Sequence, residues 1–326
     1  MRHQQSDSDA SYSMDLSDLS RRVIIVTGGN TGIGYSTVQH LARHGAKVYM
    51  AARNEEKAKA AINQLHKEGL SPGNGEVVWL KLDLSDPRNA KKAAEDFIAK
   101  EKRLDVLVNN AALLVTPYSV TRDGISDIMM VNHVSPFVLT MSLLPLMRET
   151  AKQSGSDVRI VNVSSELQAK GGIRFRNRED FNDEHASSLF PAASRYARTK
   201  LANMLFTNEL QRRFDAEGIP IIALSLHPGS VDTGGNQAWI ARTPSIVRFI
   251  FGTFGRFFFI PPDRGSYASV FAAGAPVVRA EPEKYKAAYL TPKARIGKPP
   301  SQQATNANLA KELWETTERI VKEIGV

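Results

Sequence analysis

The sequence predicts an α/β fold with a single doubly wound parallel sheet covered by helices on both faces. Short β-branched runs alternate with helical patterns from about residue 21 to about residue 290. The first run passes straight into a glycine turn and then a helix. Strands separated by helical crossovers imply right-handed βαβ units, which build such a sheet.

Residues 21–27, RRVIIVT, read as a buried parallel strand. Ile33, Val38, Leu41 and Ala42 then fall at helical spacing, and Gly45 is a natural helix stop. The alternation repeats with AKVYMAA from Ala46 as a strand, a helix over 55–68, and EVVWLKLDL from Glu76 as a strand. A helix over 87–100, the strand LDVLVNN from Leu104, a helical region over 123–150 and the strand DVRIVNVSS from Asp157 come next. A helix over 194–217, the strand IPIIALSLHPG from Ile219 and a helix over 263–273 follow, with KYKAAYL expected as an edge strand.

The bulk numbers set limits. The chain has 326 residues, 42% hydrophobic and 23% charged, which is ordinary globular composition with enough length for a sizeable core. Residues 1–20 are Ser/Asp-rich without the apolar run of a signal peptide, so a flexible tail and a cytoplasmic location are expected. With no cysteine, disulfides, thiolate metal ligands and a cysteine nucleophile are excluded, and no metal site is expected. The formal charge of +8 is scattered, and no zinc-finger, RRM or basic-zipper pattern accompanies it, so no nucleic-acid partner is expected. A phosphorylated cofactor suits that charge better.

The first turn, Thr27-Gly28-Gly29-Asn30-Thr31-Gly32-Ile33-Gly34, has glycines spaced G-x-x-x-G-x-G. It closes a strand and opens a helix, so main-chain N–H groups can approach a pyrophosphate. Tyr196 and Lys200 lie four apart in a predicted helix and share a face. An ammonium beside a tyrosine favours its phenolate and brings it toward useful acid/base range. Ser165 ends a strand, where its hydroxyl could hold a substrate oxygen; the adjacent Ser164 leaves that assignment open. The second strand ends Met50-Ala51-Ala52-Arg53 with no carboxylate for a ribose diol, and Arg53 can instead pair with a 2′-phosphate. Thr31 and Lys57 are candidate helpers.

Together these motifs resemble the short-chain dehydrogenase/reductase family, whose first signature, TGxxxGxG, is matched in full. Further signatures arrive in family order: Asp83 in LDL, Asn109-Asn110-Ala111-Ala112, Asn132 in VNH, Ser164-Ser165, Tyr196-x-x-x-Lys200, and Pro228-Gly229-x-Val231-x-Thr233. The resemblance implies a Rossmann-like fold and NADP(H) as cofactor. Gly28, Asn30, Thr31, Gly32, Ile33 and Gly34 would surround its phosphates and ribose. Asp83 would meet the adenine, Asn110 the adenosine ribose, and Val231 and Thr233 the carboxamide. Catalysis would fall to Ser165, Tyr196, Lys200 and Asn132, with Asn132 on a water-linked path to Lys200, which also bonds the nicotinamide ribose.

Two departures stand out. Ala112 replaces the last glycine of the usual NNAG, which disfavours a left-handed backbone there. Ser165 and Tyr196 are 31 positions apart, longer than the family interval, so 166–193 reads as an insertion looping over the site. That insertion, with HPGSVDT and YARTKLAN, resembles the retinol-dehydrogenase-like and WW-domain-oxidoreductase-like branch.

The expected organisation is a tail over 1–20 and one dinucleotide-binding catalytic domain over 21–326, with the insertion and a substrate-loop region over 234–262. The expected activity is hydride transfer between nicotinamide and the carbonyl or alcohol carbon of a lipophilic small molecule. A catalytically silent NADP(H)-binding sensor or scaffold is the alternative. Residues 246–260 hold six phenylalanines, which suits core packing, a substrate-covering lid or peripheral membrane contact. A homo-oligomer is compatible with all of this.

Overall fold

The computed structural model describes residues 16, 18–114, 116–168, 173–231 and 259–326. Six parallel pairings and one antiparallel pairing give a sheet of eight strands in the order β3-β2-β1-β4-β5-β6-β7-β8. The strands are β1 (Val23–Thr27), β2 (Lys47–Ala52), β3 (Val77–Lys81), β4 (Val106–Asn109), β5 (Val158–Val163), β6 (Ile221–Leu226), β7 (Tyr289–Thr291) and β8 (Arg295–Ile296). Among the described strands only β8 runs antiparallel to its neighbour, so KYKAAYL supplies the penultimate strand and two further residues form the edge. The order reverses between β1 and β4, and in such sheets the crevice above the strand ends at that point receives ligands.

Period-two alternation explains why both faces are buried. Ile24 and Val26 of β1 join one apolar cluster, while Val23 and Ile25 join the other. The first face is covered by α1 (Gly32–Arg43), α2 (Glu55–Glu68) and, farther along the chain, α8 (Pro262–Gly274). The second is covered by α3 (Pro87–Ile98), α5 (Ser135–Ala151) and α7 (Pro191–Ala216). Asn54 and Asp86 cap α2 and α3 by accepting from main-chain N–H groups in the first turn.

The helical region expected over 123–150 is broken into a short α4 (Asp127–Met129), a π-helical turn Met130–Val134, and α5. The whole stretch Asp127–Ala151 is long and apolar enough to cross a membrane, yet 78% of its most apolar window is buried inside the fold, as suits a core helix.

Three expectations need correction. The tail expected over 1–20 is too long, because Leu19 is buried and its N–H donates to the His44 carbonyl, 2.8 Å away. An apolar side chain with a satisfied main chain belongs to the fold. Second, residues 191–193, assigned to the insertion, form the start of α7, where Pro191 suits the first helical turn. Third, the described part of the insertion is docked rather than simply looped. It contains α6 (Arg178–Phe181), and Ile173, Phe175 and Phe181 are buried in a third cluster with Leu309 and Leu313 of α11 (Ala307–Glu323). Between α8 and β7 lie the short α9 (Pro276–Ala280) and α10 (Pro282–Tyr285). Thr233 and all of 246–260 except Phe259 and Ile260 lie outside the described residues.

Candidate active site

The turn after β1 is shaped by close approach. Gly28 has φ +65°, and a Cβ on Gly34 would sit 2.2 Å from the Gly28 carbonyl oxygen and 2.6 Å from Asn110 Nδ2. No side chain larger than hydrogen fits there without shifting main chain. Thr31 precedes α1 and its side chain makes no capping bond, while the first turn of that helix carries no acidic residue. The leading N–H groups of α1 therefore suit a phosphate, and the glycine cradle fits the dinucleotide the motif implies. Gly28, Asn30, Gly32, Ile33 and Gly34 all belong to this turn.

β4 ends beside it. Thr27 Oγ1 accepts from the N–H groups of Asn110 and Ala111, at 3.0 and 2.9 Å. Asn110 Nδ2 donates to the Thr27 carbonyl at 2.8 Å. Asn110 thus holds the two strand ends together at the topological switch, and Thr27 is a structural partner that the first motif already contains. Ala112 lies outside the left-handed region, as its side chain requires. Arg53 is exposed just beyond β2, with no ion pair among the described residues. Lys57 is exposed in the first turn of α2. Asp83, after β3, is partly engaged with Ser85, whose N–H and hydroxyl donate to its Oδ1.

The second half of the site is where β5 meets α7. The Ser164 hydroxyl is buried and donates to the Lys200 carbonyl at 2.8 Å. Ser165 instead lies beside Tyr196, where its side chain favours the phenolate. Lys200 is buried, its Nζ 5.6 Å from the Tyr196 ring centre and 2.8 Å from the Val163 carbonyl, to which it donates. The expectation that the ammonium lowers the tyrosine is not met. Burial pushes Tyr196 up to about 12 against the lowering effect of Ser165. Burial also pulls Lys200 down to about 7, which weakens it as a source of positive potential.

Asn132 sits in the π-helical turn, buried. Its Oδ1 accepts from Leu113 N–H at 2.7 Å, and its Nδ2 donates to the Leu113 carbonyl and Thr199 Oγ1 at 2.8 and 3.0 Å. The side chain therefore fixes the segment after β4 against α7. Beside it a cavity of about 10 Å³ is lined by Asn109, Asn132, Asn162 and Asn203 among others. That is about the room one water needs, and the buried Asn109 Oδ1 has no hydrogen-bond partner among the described residues. Asn203 is three residues beyond Lys200 on the same helix face, a spacing from which it was readable.

Val231 is buried and bridges Ile260, close to α8, where a Cβ on Gly265 would meet its side chain at 2.6 Å. Thr233 lies outside the described residues. The insertion closes the far side of α7. Arg195 donates to the carbonyls of Glu184 and Thr116 at 2.9 and 2.8 Å, and Arg198 donates to the Arg174 carbonyl at 2.6 Å while lying over the Phe175 ring. Both arginines flank Tyr196 in sequence, so the docked insertion is tied to the helix that carries it.

The family model of the short chain dehydrogenases matches residues 22–177. A short-chain dehydrogenase/reductase of Armillaria gallica is 45% identical over 311 residues, covering 94% of this chain and 95% of its own. Retinol dehydrogenase 11 of Homo sapiens is 38% identical over 255 residues, covering 78% of this chain and 73% of its own. Among solved structures, a blue fluorescent protein from a metagenomic library in complex with NADPH superposes with a TM-score of 0.61 at 26% identity, covering 84% of this chain and 97% of that one. Glycine cradle, switch point and the Ser165–Tyr196–Lys200 corner lie at the strand ends of the same parallel sheet, and the chain belongs to the short-chain dehydrogenase/reductase family, in its retinol-dehydrogenase-like branch.

Proposed function

We propose that the chain is an NADP(H)-dependent oxidoreductase acting on the carbonyl or alcohol carbon of a lipophilic small molecule. The observation that carries this is Tyr196 placed between Ser165, at the end of β5, and a buried Lys200. The bound nicotinamide supplies or accepts the hydride. Ser165 holds the substrate oxygen, and Tyr196 gives that oxygen its proton during reduction and takes it back during oxidation. With its pKa raised, Tyr196 holds the proton at neutral pH, which suits the reductive direction.

Lys200 bonds the nicotinamide ribose and, when protonated, stabilises negative charge on Tyr196. Asn132 holds the π-helical turn at the wall of the small asparagine cavity, and a water there suits a proton path to Lys200. The glycine turn and the N-terminus of α1 hold the pyrophosphate, with Asn30, Thr31 and Ile33 around it. Arg53 pairs with the 2′-phosphate, Asp83 meets the adenine, Asn110 stands beside the adenosine ribose, and Val231 and Thr233 meet the carboxamide. A lipophilic substrate agrees with Leu113, Leu114 and Leu167 near the strand ends, and with the alcohol named in retinol dehydrogenase 11.

The test is loss of NADPH absorbance with a panel of lipophilic ketones and aldehydes. Tyr196→Phe should nearly abolish turnover while NADPH binding, followed by fluorescence, stays within a few-fold. Equal turnover in the variant removes Tyr196 from the acid/base role. Tight NADPH binding with no turnover on any substrate class favours the silent sensor.

A further inference from the structure

We propose that Tyr289, on the short seventh strand, is a positioning residue that holds the Ser165 loop against the Pro228–Gly229 turn, so that the serine hydroxyl meets substrate and Tyr196 in one fixed geometry. The inference rests on the function proposed above for Ser165.

Tyr289 lies far from the other site residues in sequence, yet β7 pairs beside the end of β6, with Tyr289 opposite Ser225 and Leu290 opposite Leu226. That register sets the Tyr289 side chain beside the end of β5. Its hydroxyl donates to the Ser165 carbonyl at 3.2 Å. Its ring stacks on the His227 imidazole, with centres 5.6 Å apart and planes inclined by 19°. His227 in turn is held from both sides, because its N–H donates to the Leu290 carbonyl at 3.0 Å and its Nδ1 accepts from Gly229 N–H at 3.3 Å. One side chain therefore links the loop after β5 to the turn after β6.

The linkage is stiff. Tyr289 is 3% exposed, packed in the cluster that contains Met204 and Leu205 of α7. Burial raises the Tyr289 hydroxyl, so it remains a donor through the working pH range. Burial lowers His227, which keeps Nδ1 available as an acceptor. Within the loop the Ser165 carbonyl also accepts from Gln168 Nε2 at 3.2 Å, and the Ser165 hydroxyl accepts from Leu167 N–H at 3.0 Å, while Gln168 Nε2 also reaches Met204 Sδ of α7. Tyr289 is the tie that acts on the Ser165 main chain itself from outside the loop, alongside the Gln168 contact with α7 and Ser164, whose hydroxyl and N–H donate to the Lys200 and Leu226 carbonyls.

Tyr289→Phe removes only the hydroxyl and keeps the ring on His227. With benzil as the carbonyl probe and NADPH saturating, kcat should fall about tenfold, because a displaced reacting group costs more in rate than in binding. NADPH affinity should change less than about twofold, and the melting temperature by no more than a few degrees. If Tyr289 acts through Ser165, the same change in a Ser165→Ala background should alter kcat by less than about twofold, since coupled residues are not additive. Amide exchange by mass spectrometry gives a readout that needs no turnover: peptides spanning 164–168 should exchange faster in Tyr289→Phe, with the α1 peptides unchanged. Full additivity of the two changes, or unaltered exchange over 164–168, overturns the inference. Failure of Ser165→Ala itself to slow benzil reduction overturns instead the function assigned to Ser165, and absence of NADPH-driven turnover in the unaltered chain does the same.

Discussion

The Ser164 hydroxyl donates to the Lys200 carbonyl across 2.8 Å, joining the end of β5 to the helix that carries Tyr196. This bond divides the labour between two adjacent serines, because it occupies the Ser164 hydroxyl while the Ser165 side chain acts on the phenol. Ser164→Ala removes a buried hydrogen bond worth about 1 kcal/mol and should lower the melting temperature by a few degrees with a modest effect on kcat. Ser165→Ala should leave melting nearly unchanged and cut kcat by about a hundredfold or more, the scale of losing one donor to a developing oxyanion. Carbonyl reduction and thermal melting on both variants test this, and the reverse pairing of effects would reassign the catalytic hydroxyl.

The glycine turn allows a contrast between crowding and backbone strain. Gly34→Ala places a Cβ 2.2 Å from a main-chain oxygen and 2.6 Å from the pinned amide of Asn110, so the cradle must open. NADPH binding should weaken by at least about a hundredfold. Gly69 has φ +83° and ψ 143°, outside the left-handed helical well, and a Cβ there would meet nothing within 4 Å, so Gly69→Ala should cost roughly 1–3 kcal/mol of backbone strain and leave cofactor affinity alone. Fluorescence titration of NADPH on the two variants separates the effects. Similar affinities would show that the Gly34 contact does not shape the phosphate site.

Arg53 is exposed past the end of β2 and free of salt bridges among the described residues, so its guanidinium can be spent on a ligand phosphate. A hydrogen bond to a charged group contributes roughly 1.5–3 kcal/mol, which is about ten- to a hundredfold in affinity. Arg53→Ala should raise the KM for NADPH by that factor and change the KM for NADH by little. An unaltered ratio of the two removes Arg53 from 2′-phosphate recognition.

Much of this was legible in the sequence, and the limits have physical causes. The β-branched runs and the glycine turn announced the sheet because buried parallel strands leave few other residues that fit. The resemblance pointed to Ser165, but the residues alone left the Ser164/Ser165 choice open, since it depends on which part of α7 each hydroxyl meets at the end of β5. Arg195 and Arg198 looked like ordinary helix charges, but their guanidinium groups satisfy carbonyls of the insertion and lie over the Tyr118 and Phe175 rings. α11 does carry helical spacing in Leu309, Leu313, Trp314, Thr317 and Ile320. What local pattern could not give is that its partners are Phe175 and Phe181 of the insertion. Tyr289 escaped for a similar reason, because its place beside Ser165 follows from strand order, and strand order is non-local.

The buried lysine predicts how stability varies with pH. Lys200 titrates near 7 in the folded chain against an ordinary value of 10.5, because burial penalises the ammonium. Below about 7 both folded and unfolded chains hold the proton, so this group adds no pH dependence. Between about 7 and 10.5 the unfolded chain keeps a proton that the folded chain has released, and stability then rises with pH by up to about 1.4 kcal/mol per unit. Tyr196 acts in the other sense, since the folded chain keeps a proton to about 12 that the unfolded chain gives up near 10. Its contribution is therefore present below about 10 and lost as pH climbs from there toward 12. A comparison at pH ~7.5 and ~9.5 isolates the lysine. Lys200→Met keeps a similar stem without the charge, so urea denaturation should show stability rising between those two pH values more steeply in the unaltered chain than in the variant. Parallel curves would mean that Lys200 keeps its charge in the folded protein, and with it the positive potential at Tyr196 that burial otherwise weakens.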